Sequence, residues 1–175
     1  MNIHANAHSY EPLSLYSDVD EDTQPEIPLS GARVLVVDDD PAMRSLVTAE
    51  LVHEGYVVKE ASSATELLCA IDGDALRSAG MDLIVLDLRM PGPTGLEVVR
   101  ALRDARQDMP AILMTAFPEP DLIVEAAGLG VPVLSKPFAL EKLTRATVVL
   151  LVEHTKHATT RRVTASLAHS SSRTG

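Results

Sequence analysis

Four carboxylates, a hydroxyl and an ammonium stand at the ends of short apolar runs in this chain. Asp38, Asp39 and Asp40 follow Val34-Leu35-Val36-Val37, and Asp87 follows Leu83-Ile84-Val85-Leu86. Thr115 follows Ile112-Leu113-Met114, and Lys136 comes just after Val133-Leu134-Ser135. Two like charges about 4 Å apart repel by roughly 1 kcal/mol in water and about 4 kcal/mol at an effective dielectric near 20. Carboxylates gathered at one place therefore need a cation, and an all-oxygen site selects a hard ion such as magnesium, which keeps waters and accepts phosphate oxygens. A metal, an ammonium and a hydroxyl around one carboxylate cradle a transferring phosphoryl group, with Asp87 as the nucleophile that becomes an aspartyl-phosphate. Taken singly, each residue has a plainer reading: Asp87 as a strand-ending residue, Thr115 as a turn former, Lys136 as a solvated charge. The set in order at successive strand ends is what points to chemistry.

The elements that must position these groups follow from the texture. Continuous apolar runs of four or five residues suit strands buried on both faces. Four are present, at 34–37, 83–86, 110–114 and 131–134, Tyr56 to Glu60 reads as a fifth strand, and helical patterns alternate with them. Pro41 suits the first turn of a helix capped by Asp40, an amphipathic helix with Met43, Leu46, Val47 and Leu51 at helical spacing that ends near Gly55. Ser62 or Ser63 caps a helix with Leu67, Leu68 and Ile71, and the stretch 72–80 reads as a helix break with one further turn. Pro91, Gly92, Pro93 and Gly95 break the chain before a helix from about Thr94 to Arg103. Shorter and longer helices follow at about 120–127 and 140–154. The expected fold is α/β, a doubly wound five-stranded parallel sheet in order 2-1-3-4-5, with the strand-end loops on one edge.

Composition bounds the rest. With 46% apolar residues the chain buries a real core, built from aliphatic side chains because there is no Trp and only 3% is aromatic. A lone cysteine, Cys69, excludes an intrachain disulfide and reads as a small buried apolar residue. No run approaches the roughly 18–20 apolar residues of a membrane span and the start is polar and acidic, so the expected place is the cytoplasm. Residues 1–30 carry six acidic groups and no Lys or Arg, whereas residues 154–175 carry four basic groups and no acid. Of the net charge of −10 this leaves −8 for the middle (−10 + 6 − 4), which argues against a nucleic-acid-binding core. The expected organisation is a disordered acidic leader over 1–31, a folded domain over 32–154 and a disordered basic Ser/Thr-rich tail over 155–175.

Val34 to Pro41 (VLVVDDDP), Asp82 to Gly95 (DLIVLDLRMPGPTG), Ile112 to Ala116 (ILMTA) and Ser135 to Phe138 (SKPF) together resemble the receiver domain of bacterial two-component response regulators. The resemblance covers about residues 32–154. It implies phosphoryl transfer to Asp87 from a histidine kinase or a histidine phosphotransfer protein. It implies Asp39 as a direct magnesium ligand beside Asp87, Asp38 acting largely through water, and the backbone carbonyl of Arg89 as a further ligand with its side chain at liberty to vary. Thr115 and Lys136 match the positions that contact phosphoryl oxygens, and Lys136-Pro137 matches a bond that is cis in the family. Asp40 matches no ligand position and stays a helix cap. Two departures stand out. Val133 occupies the place where the family usually carries the Tyr or Phe that reports phosphorylation, and it is too small and stiff to swing between buried and exposed positions. Thr94 stands where Asp is commoner, and serves as a helix cap.

About twenty residues remain after the last helix, so the expectation is a stand-alone receiver signalling through a changed protein surface or a relayed phosphate. The last helix suggests where. Leu140, Leu143, Ala146, Thr147, Leu150 and Leu151 form an inward stripe, and Val148, Val149 and Val152 fall largely outside it. A helix apolar nearly all round suits a homodimer or partner-docking face over 140–154. Two other functions bear on the same residues. One is a receiver-fold adaptor that is never phosphorylated, favoured only by Val133. The other is a phosphatase with an aspartyl nucleophile of the haloacid dehalogenase class, for which Asp38-x-Asp40 is formally present but is followed by Pro41.

Overall fold

The computed structural model of the chain describes residues 30–67 and 80–171, and of 158–171 only the helical backbone. Residues 1–29 of the acidic leader, Cys69, Leu68, Ile71 and nearly all of the stretch 72–80 lie outside the described residues. Five strands, β1 (Arg33–Val37), β2 (Val57–Ala61), β3 (Leu83–Asp87), β4 (Ala111–Thr115) and β5 (Val133–Ser135), form one parallel sheet in the order β2-β1-β3-β4-β5. The helices are α1 (Pro41–His53), α2 (described over 64–67), α3 (Gly95–Asp104), α4 (Pro120–Gly128) and α5 (Leu140–Ser171).

Alternation along the central strands divides the core in two. Val34, Val36, Leu83, Val85, Ile112 and Met114 face α1 and α5, packing with Val47, Leu51, Leu143 and Leu150. Leu35, Val37, Ile84, Leu86 and Leu113 face the other way, onto Leu67 of α2, Leu96, Val99 and Leu102 of α3 and Ala126 of α4. Every residue of β3 and β4 is buried, which is why those runs are continuous rather than alternating in apolar character. The expected doubly wound sheet and its strand order are the observed ones, with β2, β4 and β5 beginning one or two residues later than expected.

Caps set the helix starts. The Asp40 side chain accepts from the N–H groups of Ala42 and Met43, with Pro41 in the first turn. Ser63 Oγ accepts from Glu66 N–H at 3.3 Å, while the Glu66 carboxylate takes the N–H of Ser62. Thr94 and Glu97 form a reciprocal capping box, Thr94 Oγ1 accepting from Glu97 N–H and Glu97 accepting from Thr94 N–H at 2.7 Å. The Thr94 N–H and the Thr94 hydroxyl, both donating to the Glu97 carboxylate, lower its pKa from the ordinary value. Thr94→Ala removes one half of this box and should cost about 1 kcal/mol, read as a lower urea midpoint at unchanged slope.

Gly95 has a sharper role than breaking a strand. A Cβ there would lie 2.5 Å from the carbonyl oxygen of Asp87 and 2.8 Å from Leu113 Cδ2. Its N–H donates to the Leu88 carbonyl at 2.9 Å, so the loop after β3 folds back on its own beginning. Gly95→Ala forces a methyl group against the Asp87 backbone and should destabilise the chain by about 1–3 kcal/mol, measurable by urea unfolding.

Two expectations about the last helix are corrected. Its helical backbone continues past His154 to Ser171 instead of giving way to irregular chain, because no Pro or Gly interrupts 140–171. Val152, expected outside the inward stripe, is buried, and Val148 and Val149 are half-buried. The helix touches α1 as well as β3 and β4, so more of its circumference is covered than packing on a sheet alone would cover.

Candidate functional site

Register brings the polar residues together. Val37 lies beside Leu86 and Asp87 beside Met114, so Asp38 and Asp87 leave adjacent strands side by side at the point where strand order reverses. Thr115 pairs with Ser135, and Lys136 N–H donates to the Thr115 carbonyl at 2.7 Å, which places the lysine one step beyond the sheet edge. The Lys136-Pro137 bond is cis, as the resemblance implies.

The side chains then close on one ammonium. Lys136 Nζ donates to Asp87 Oδ1 at 2.5 Å and to Asp38 Oδ2 at 2.9 Å. The second oxygen of each carboxylate is held by the backbone two residues on: Arg89 N–H donates to Asp87 Oδ2 at 2.7 Å, and Asp40 N–H to Asp38 Oδ1 at 2.9 Å. Arg44 donates to the Asp38 carbonyl at 2.7 Å and to Glu60 at 3.0 Å, tying α1 and β2 to the same corner. Asp38, Asp87 and Thr115 are all buried. Thr115 Oγ1 accepts from Phe117 N–H at 3.1 Å, leaving its own O–H to donate. Asp39 is exposed at the rim.

One ammonium serves two buried carboxylates. Burial raises the Asp38 pKa above the usual carboxylate range, and its bonds to Lys136 and Asp40 only partly offset this. Burial works against the charge of Lys136 as well, but Asp87 and Asp38 together more than offset it and hold the ammonium above its ordinary range. The cation is thus over-compensated and Asp38 under-compensated. Asp38, Asp39 and Asp87 carry three negative charges against one positive, an excess that a divalent cation matches with oxygen donors of the right hardness. The donor chemistry fits magnesium in charge and type. Among the described residues, however, no three acidic, His or Cys side chains close on one point; the chain brings Asp38 and Asp87 together around Lys136 and leaves Asp39 outside.

The side chain of Arg89 is engaged. Its guanidinium pairs with Glu119 at 2.8 Å and lies over the Phe117 ring, 5.1 Å from the centroid. Nothing in the sequence joins residues thirty positions apart in this way, and Phe117 and Glu119 read there only as loop. Val133 is buried in the core beneath the sheet edge.

Residues 34–148 match the family model described as the response regulator receiver domain. The chain belongs to the receiver-domain family of response regulators. It is 42% identical over 115 residues to the response regulator MprA of Mycolicibacterium vanbaalenii, a match covering 63% of this chain and 46% of that protein. It is 35% identical over 116 residues to the transcriptional regulatory protein TcrA of Mycobacterium tuberculosis, covering 66% and 44% respectively. The receiver chain thus spans about half the length of the curated relatives it matches. Among solved structures it is similar to the response regulator TrrA of Thermotoga maritima in complex with Mg2+ and BeF, with 33% identity, a TM-score of 0.59 and coverage of 68% of this chain and 98% of that one. A CheY-like receiver domain protein of Methanospirillum hungatei superposes at TM-score 0.64 with 28% identity, covering 73% and 99%. No described helix of the receiver is long and apolar enough to cross a membrane.

Proposed function

We propose that this receiver accepts a phosphoryl group on Asp87 from a phosphohistidine of a sensor kinase or phosphotransfer protein. An Asp87 carboxylate oxygen attacks phosphorus; the O–P bond forms, the N–P bond breaks, and the electron pair stays on the imidazole of the donor. The observation that carries this reading is the setting of Asp87: buried at a central strand end, one oxygen on the Lys136 ammonium, the other on the Arg89 N–H. Lys136 shields the carboxylate from the incoming anion and takes up phosphoryl oxygen charge, and the Thr115 O–H donates to a second oxygen. Asp39, Asp87 and the Arg89 carbonyl would hold magnesium, with Asp38 acting through water; when bound, the ion neutralises charge on the transferring phosphoryl oxygens. The related TrrA, solved with Mg2+ and BeF, supports this assignment by similarity. The receiver then signals through its altered surface or passes the phosphate on.

Acetyl phosphate and magnesium test this directly. Intact mass should show one added phosphoryl group per chain, absent when a chelator is present before acetyl phosphate is added. A wild type that never labels would overturn the proposal in favour of an unphosphorylated adaptor, and sustained multiple turnover would favour a phosphatase.

A further inference from the structure

The Arg89–Phe117–Glu119 cluster bridges the two loops that carry Asp87 and Thr115. Arg89 binds Asp87 through its own N–H at 2.7 Å while its guanidinium is held away by Glu119 at 2.8 Å and by the Phe117 ring. Phe117 in turn holds the Thr115 hydroxyl through its N–H. All three outer side chains lie near solvent: Arg89 is 56% exposed, Glu119 67% and Phe117 61%. An exposed ion pair and a single cation–π contact are weak restraints. A phosphoryl group on Asp87 would place about −1.5 to −2 charges beside the Arg89 backbone, a stronger partner than one solvated carboxylate and able to take two parallel N–H bonds from a guanidinium.

Resting on the phosphoacceptor reading of Asp87, we propose that Arg89 is a second phosphoryl-binding cation, parked on Glu119 and Phe117 until Asp87 is phosphorylated. Its transfer to the phosphoryl oxygens releases Glu119 and the Phe117 ring. That release changes an exposed surface at the loop before α4, and it gives this receiver an aromatic read-out although Val133 is fixed in the core.

The chain contains no Trp, so Phe117→Trp supplies a single indole at an exposed position. Beryllofluoride with magnesium is the probe, since it mimics the acyl phosphate, and the melting temperature reports its binding independently. Binding should raise the melting temperature and shift the indole emission in parallel. In Arg89→Ala/Phe117→Trp the melting temperature should still rise while the emission stays at one value. Glu119→Gln/Phe117→Trp should reach half-response at about threefold less beryllofluoride, the loss expected for one exposed ion pair. A melting temperature that rises without any change in emission, or an emission change that survives Arg89→Ala, overturns the role of Arg89 and leaves the phosphoacceptor reading standing. No rise in melting temperature overturns both.

Discussion

Asp87→Asn should remove phosphoryl labelling entirely and leave the chain folded. An amide presents no anionic oxygen to phosphorus, so acetyl phosphate with magnesium should give labelling at background by intact mass. The stability consequence is the more discriminating half. In the wild type both Asp87 oxygens accept, one from Lys136 and one from Arg89. The Asn amide offers one acceptor and one NH2, so one of those donors loses its partner, at a cost of about 1 kcal/mol. Against this, Lys136 keeps its 2.9 Å bond to Asp38, and a buried like charge is gone. The two changes oppose one another, and the net shift in urea unfolding should stay within about 1 kcal/mol. Labelling that persisted in Asp87→Asn would mean that another carboxylate, Asp38 or Asp39, accepts the phosphate.

What the sequence conveyed and what it did not divide along physical lines. The central strands were readable because a parallel strand covered on both faces must be apolar throughout, and the acidic residues after Val37 and Leu86 could not extend those runs. The caps at Asp40 and Thr94 were readable because capping is local. Three features depended on distant contacts. Gly95 looked like one breaker among several, yet its lack of a side chain is required by the Asp87 carbonyl and Leu113, partners set by the tertiary fold. The engagement of Arg89 depends on a loop thirty residues away. The apolar texture of the last helix ends near His154, a signal about packing; backbone continuation needs only the absence of a breaker, and it runs to Ser171. Asp38, Asp87, Thr115 and Lys136 are legible because each ends or directly follows a strand, whereas only the tertiary fold brings Phe117 and Glu119 to Arg89.

Lys136→Met should be the most destabilising single change at the site. It leaves Asp38 and Asp87 buried beside one another with no ammonium between them, and removing one member of a buried pair typically costs about 3–5 kcal/mol. Lys136 is itself 15% exposed, so water relieves part of this and a loss of about 3 kcal/mol is expected. Some of the cost comes back by two separable routes. Adding Asp87→Asn removes the repulsion, so the double variant should be more stable than Lys136→Met alone, a non-additivity that unfolding of the four chains measures as a double-mutant cycle. Adding magnesium should raise the melting temperature of Lys136→Met more than that of the wild type, because an ion that binds only the folded chain stabilises it by mass action and the lysine no longer competes for the two carboxylates. If magnesium raised both melting temperatures equally, the ion and the ammonium would be sitting on different charges. The crevice would then be a closed ion-pair network around Lys136, with no electrostatic reason to take up a metal.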